Sequence, residues 1–106
     1  MTTEKDYKET LSEFLDKFCD IFFLNREDFF GKKTGMVEYK YLFFYSCRKK
    51  FPTISSSNIA KFLNKNIYDF YTGTAKVRSL IKIKDKLTLK RLEALERNNL
   101  LKKKRK

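Results

Sequence analysis

At 106 residues the chain is long enough for one domain with a modest core, and its net charge of +12 points to a polyanionic partner. With no histidine and only 2 cysteines, a disulfide framework and a zinc site are both argued against. No apolar run approaches the ~18 residues of a membrane span, and no basic-then-apolar signal peptide opens the chain.

Thr3 is placed to cap a first helix whose apolar positions, Tyr7, Leu11, Phe14, Leu15, Phe18 and Phe22, recur at helical spacing. The opposite side of that helix is acidic. Residues 1–30 carry a net charge of −4, whereas residues 31–80 and 81–106 carry +8 each. A polyanion therefore meets the middle and the end of the chain, while the acidic first helix offers itself to a protein partner. Asn25 to Asp28 looks like a capping box with Asp in place of Glu. It predicts a single turn through Phe29 and Phe30, closed by Gly31. GKKTG, residues 31–35, is a basic loop. A long helix is expected from Val37 to about Lys50, with Tyr39, Leu42, Phe43, Ser46 and Cys47 along one side and Tyr41, Phe44 and Tyr45 widening the apolar surface. Pro52 prevents its continuation.

Residues 55–82, SSSNIAKFLNKNIYDFYTGTAKVRSLIK, read as a short helix, a polar turn and a longer helix. Ser55 caps the first, whose apolar face is Ile59, Ala60 and Leu63. Asn64, Lys65 and Asn66 turn the chain without glycine, because asparagine tolerates the left-handed conformation that ends a helix. The second helix starts at about Ile67, with Ile67, Phe70, Tyr71, Thr74, Val77 and Ile81 on its apolar side. Lys65, Asp69, Thr72 and Lys76 fall opposite, with Tyr68 and Ser79 on the flanks. Gly73 argues against an unbroken helix or, instead, marks the close approach of another helix or of a phosphate. An apolar seam with short polar, aromatic and basic side chains opposite is what a recognition helix requires. It is also what many helical domains without a nucleic-acid partner display.

After Ile83 a last helix is expected, with Leu87, Leu89, Leu92, Leu95 and Leu100 inward, followed by the run Lys102, Lys103, Lys104, Arg105 and Lys106. The sequence holds no internal repeat, no convincing strand alternation and no linker. The expected fold is all-α, a single domain over residues 1–101 with a basic tail at 102–106. Cys19 and Cys47 are expected to pack as small apolar residues in a reducing compartment, the cytoplasm and its nucleoid. Nothing points to an enzyme. There is no phosphate-cradling GxxxxGK[ST] loop, and Asp16 and Asp20 are spaced like any solvated pair. No cofactor, metal or small-molecule substrate is expected.

The order and spacing of these elements resemble the C-terminal DNA-binding domain of the chromosomal replication initiator DnaA, a member of the Trp-repressor-like helix-turn-helix group. FCDIFFLNREDFFGKK (residues 18–33) is similar to that family's aromatic helix end, acidic turn and basic loop. VEYKYLFFYSCRKK (residues 37–50) sits where the family has its long central helix, and ISSSNIAKFLNKN (residues 54–66) where it has a Ser-capped helix. The family's base-contacting Asp-His-Thr-Thr group is replaced here by Asn66, Ile67, Tyr68 and Asp69, and the basic loop lacks the family's arginines. The resemblance implies a scaffold that docks on duplex DNA, without implying the initiator's own recognition box. The ATPase module is missing, so the chain looks like a stand-alone descendant of the kind phages and mobile elements carry.

Taken together, the residues lead to the expectation of a double-stranded DNA-binding protein acting in replication or transcription control. Base reading is expected from Tyr68, Asp69, Thr72 and Lys76. The phosphate backbone is expected to meet Lys32, Lys33, Lys49, Lys50, Ser56, Lys65, Asn66 and the tail, Lys102 to Lys106. Asp69 either accepts from a cytosine amino group or pairs with Lys65. The alternative is a structural or adaptor protein, such as a virion component, using the same helices for protein contacts and the tail for nucleic acid. A weaker option is RNA binding through the tail and exposed tyrosines.

Overall fold

Most helix ends in this chain are set by local chemistry. Three helices start on a side-chain oxygen: Ser55 Oγ accepts from the Asn58 amide at 3.1 Å, Asn66 Oδ1 from the Asp69 amide at 2.9 Å, and Asp85 Oδ2 from the Thr88 amide at 3.0 Å. Four helices end on a left-handed residue, Phe23, Asn64, Lys84 or Asn99. In each case the next amide reaches back five residues: Leu24 to Cys19, Lys65 to Ala60, Asp85 to Leu80 and Leu100 to Leu95, at 2.9–3.0 Å. This closes the helix without glycine. The helix that runs into Phe51 and Pro52 ends differently, in front of the proline.

The computed structural model describes residues 4–31 and 35–101. Its elements are α1 (Glu4–Phe22), a single 3-10 turn (Arg26–Phe29), α2 (Val37–Lys50), α3 (Ser56–Phe62), α4 (Ile67–Lys82) and α5 (Lys86–Arg97). The fold is all-α, with no strand among the described residues. Thr3, read as the cap of α1, lies outside them.

α2 is the central post. It packs against α1, α3 and, most extensively, α4, while α5 lies against α4 and α1. Enclosure on several sides explains why Leu42, Phe43, Phe44, Ser46 and Cys47 are all buried, a wider arc than one amphipathic stripe. Phe43 is the hub of an aromatic core. Its ring meets those of Phe14, Phe18, Phe29 and Phe62 at centroid distances of 5.6–6.2 Å, and such pairs add to the area they bury. The α1 stripe is as read: Tyr7, Leu11, Phe14, Leu15 and Phe18 are buried, and Phe22 is half-buried against Phe18 and Tyr39.

Gly73 sits where α4 crosses α2. A Cβ there would lie 2.6 Å from Tyr41 Cδ1 and 3.3 Å from Tyr41 Cα, so of the two readings of this glycine the close approach of a helix is the one present. Two cations tie the frame together. Lys40, itself buried, donates to the Gly31 carbonyl at 2.8 Å. Arg48 donates to Ser56 Oγ at 2.8 Å and to the carbonyls of Phe51, Pro52 and Ile54 at 3.1, 2.9 and 2.7 Å. It thereby fixes the chain between α2 and α3.

Several expectations need correction. Asn25 adopts the extended backbone of a cap but makes no side-chain cap bond. In the tight 3-10 turn its main-chain carbonyl takes the Asp28 amide instead, at 3.1 Å, so no capping box forms. The turn closes on Phe30, whose amide reaches Glu27, rather than on Gly31. Leu87 and Leu89 are exposed, because the seam of α5 runs through Thr88, Leu92 and Leu95. Thr88 can be buried because its hydroxyl is satisfied by Asp85 at 2.7 Å. Tyr71 is 53% exposed rather than on the apolar side of α4, its ring edge-on to Phe70 at the margin of the core.

Candidate nucleic-acid interface

α4 is anchored by Phe70, Gly73, Thr74 and Val77, all buried, with Ile67 and Ile81 half-buried beside them. This seam turns the opposite side outward. Tyr68, Asp69, Thr72 and Lys76 are all exposed, Tyr68 by 76%. At 100° per residue the middle of the exposed arc runs through Tyr68, Thr72, Ala75 and Ser79. Tyr68 thus stands at the centre, not on a flank, while Asp69 and Lys76 lie toward one edge. Tyr71, Arg78 and Lys82 line the other edge, and sequence reasoning missed all three as surface groups. For Arg78 and Lys82 the signal was their charge and helical spacing, whereas Tyr71 reads as apolar from its ring. Among the described residues no side-chain hydrogen bond or ion pair engages Tyr68, Asp69, Thr72 or Lys76, and Asp69 is not paired with Lys65.

The flanks are basic. Lys65 is half-buried next to the start of α4, close enough to Lys40 for its charge to act on it. Burial foremost, and Lys65 second, hold the Lys40 ammonium below the ordinary lysine range. Lys40 in turn holds Gly31, the residue from which the basic loop departs. On the other flank Lys49 lies 5.6 Å over the Tyr45 ring. Burial pushes the Tyr45 hydroxyl up, with Arg78 opposing the shift. Cations therefore bracket the exposed arc of α4 on both sides.

The remaining expected backbone contacts are placed as follows. Lys49 and Lys50 are exposed at the end of α2, where Lys50 also reaches the Asn99 carbonyl at 3.4 Å. The Ser56 hydroxyl accepts from Arg48. Asn66 is exposed, with its side chain committed to the cap of α4. Lys32, Lys33 and the tail residues Lys102, Lys103, Lys104, Arg105 and Lys106 lie outside the described residues. The acidic side of α1 is exposed at Glu9, Glu13, Asp16 and Asp20, and Asp16 pairs with Arg26 at 2.7 Å.

Both cysteines are buried free thiols. Burial, helped by Asp16 and opposed by Arg26, pushes the Cys19 thiol up to about 11, and burial raises Cys47 as well. Neither has the depressed, exposed thiol of a nucleophile. Among the described residues no group of three or more His, Cys, Asp or Glu could hold a metal ion, and no helix is long and apolar enough to cross a membrane. No family model, curated protein or solved structure matches the chain.

Proposed function

We propose that the chain is a sequence-specific double-stranded DNA-binding protein that lays the exposed arc of α4 in the major groove. α3, the turn at residues 63–66 and α4 act as its helix-turn-helix. The observation that carries this reading is the unengaged arc itself. Tyr68, Thr72 and Lys76 project from one side of a helix whose other side is locked into the core, with Lys65 and Arg78 on either margin. Tyr68 and Thr72 are suited to thymine methyls and base edges, Lys76 to guanine or phosphate, and Lys65 and Lys49 to phosphate. At about 1.5 Å rise per residue, the span from Tyr68 to Lys76 covers little more than two turns, enough for a few base pairs. The likeness to the DnaA DNA-binding domain belongs to this proposal, as does a place in replication or transcription control and in the nucleoid. So do the absence of enzymatic activity and a protein partner for the acidic side of α1.

The test is a gel-shift selection from random duplexes, followed by sequencing. An enriched motif is expected. Tyr68→Ala and Thr72→Ala should each change the preferred sequence, losing about 1–3 kcal/mol for each base contact removed, while Lys65→Ala weakens all duplexes alike. If both α4 variants select the wild-type motif with wild-type affinity, α4 does not read DNA.

A further inference from the structure

Two features of the surface include neither Tyr68 nor Thr72. Phe23 is 94% exposed and left-handed at φ +56°. The equivalent positions closing α3, α4 and α5 hold Asn64, Lys84 and Asn99, polar residues suited to water. A bulky aromatic side chain in this conformation is unusual, and inside the molecule nothing is gained by having it there. The second feature is an open groove of about 480 Å³ between α2, α4 and α5, walled by Val37, Tyr41, Leu42, Val77, Leu80 and Leu87. Val37 and Leu87 are each 51% exposed at its mouth.

Knob and groove are joined by a short chain of contacts. Phe22, the neighbour of Phe23, packs on the Tyr39 ring at 5.6 Å. The Arg91 guanidinium covers the same ring at 4.4 Å and pairs with Glu38 at 3.0 Å, and Arg91 and Glu38 both border the groove. The surroundings of the two features differ in charge. Asp20 and Glu27 precede and follow Phe23 in the sequence, whereas the exposed Lys84, Lys86 and Lys90 on and before α5, with Lys76 and Arg91 in the lining, outnumber the groove's two acids, Glu38 and Asp85.

We infer that this side of the molecule is a self-complementary interface with a second copy of the chain, in which the Phe23 ring of each protomer enters the partner's groove. Knob and recess are linked on one protomer through Phe22, Tyr39 and Arg91, and a two-fold axis between them makes both insertions at once and closes the assembly as a dimer. Each insertion also brings Asp20 and Glu27 against the partner's lysines. The ring is apolar and fully wet in the monomer, so its transfer supplies a driving force that the isolated chain lacks. The charges set register and lend the association a salt dependence. Of the residues assigned to DNA only Lys76 lines the groove, at the edge of the arc, and Tyr68 and Thr72 do not, so the dimer leaves the centre of the arc uncovered.

Sedimentation velocity of the full chain, without DNA and across a concentration series, tests this. The wild type is expected to sediment as a monomer–dimer equilibrium that shifts toward monomer as salt is raised. Phe23→Asn, which suits the left-handed position, and Leu87→Glu, at an exposed site, should each be monomeric with the circular dichroism spectrum of the wild type. Mixed in equal amounts, the two variants should recover part of the dimer, because one intact knob faces one intact groove. A wild type that stays monomeric at millimolar concentration overturns the inference. So does a Phe23→Asn variant that dimerises like the wild type, an assembly that grows beyond a dimer, or a mixture that gains nothing over its components. DNA binding by a strictly monomeric wild type would overturn the dimer and leave the reading of α4 standing.

Discussion

Gly73→Ala is the sharpest probe of how α2 and α4 meet, because two opposing effects of known size act at one atom. In an open helix the change would add about 1 kcal/mol of stability through helix propensity alone. Here the new methyl lands 2.6 Å from Tyr41 Cδ1, 3.0 Å from Cγ and 3.3 Å from Cα, against a comfortable carbon–carbon separation of about 3.5–4.0 Å. Rotating the ring about its own axis moves Cδ1 but leaves Cγ and the backbone in place. Relief therefore requires a new χ1 for Tyr41, which the helix restricts, or a separation of the two helices. Overpacking of this kind costs about 1–3 kcal/mol. The net expectation is a loss of about 1 kcal/mol, measured by urea denaturation followed by far-ultraviolet circular dichroism. In a Tyr41→Ala background the ring is gone, and of the three nearest atoms only the Tyr41 Cα at 3.3 Å remains. There the same Gly73→Ala change should become stabilising, by somewhat less than ~1 kcal/mol. The coupling between the two sites is then about 2 kcal/mol, well above the additivity error of independent sites. A Gly73→Ala variant more stable than wild type, or a cycle with no coupling, would refute the close crossing on which the outward direction of α4 depends.

Arg48→Met should lower stability by about 2–3 kcal/mol, because half-buried carbonyls of the α2–α3 connection lose a charged donor. Arg48→Lys should not restore it, a single ammonium being unable to serve both arms of the fork. Ser46 is buried with no partner for its hydroxyl, so Ser46→Ala should raise the urea midpoint, by about 1 kcal/mol in free energy. Cys19 and Cys47 should react with a thiol reagent only as fast as the protein opens, since both are buried and protonated. Their linkage has a definite sign. A thiol whose folded value is raised from 9.0 to about 11 contributes stability that is complete below pH 9 and lost as the pH rises toward 11. Thermal melts at rising alkaline pH should fall through that window less steeply in a Cys19→Ser variant.

What the sequence disclosed depended on whether a residue's role was decided by its own neighbourhood. The stripe of α1, the Ser55 cap, the turn through a left-handed Asn64 and the stop before Pro52 are all local, and each is found as read; Asn66, read only as part of that turn, also caps α4. The exposure of Tyr68, Asp69, Thr72 and Lys76 was likewise legible, because a seam through Phe70, Thr74 and Val77 leaves them no other direction. The misses share a different cause. Thr88 reads as a surface residue until Asp85 is seen to satisfy its hydroxyl, and that pairing rotates the seam of α5 away from Leu87 and Leu89. Lys40 and Arg48 read as surface charge in any count of net charge. In the fold they serve backbone carbonyls of Gly31, Phe51, Pro52 and Ile54.

This last point bears on the site. A net charge of +12 overstates the cations free to meet a polyanion, since Lys40 and Arg48 are occupied internally and Arg26 and Arg91 are paired with Asp16 and Glu38. The charges that remain uncommitted around α4, Lys65 and Lys76 toward one margin and Arg78 and Lys82 toward the other, bracket the exposed arc instead of covering it. A phosphate backbone on each side and base edges between them is the arrangement that a helix seated in a major groove would meet. Of all the charge in this chain, its distribution about α4 says more than its total.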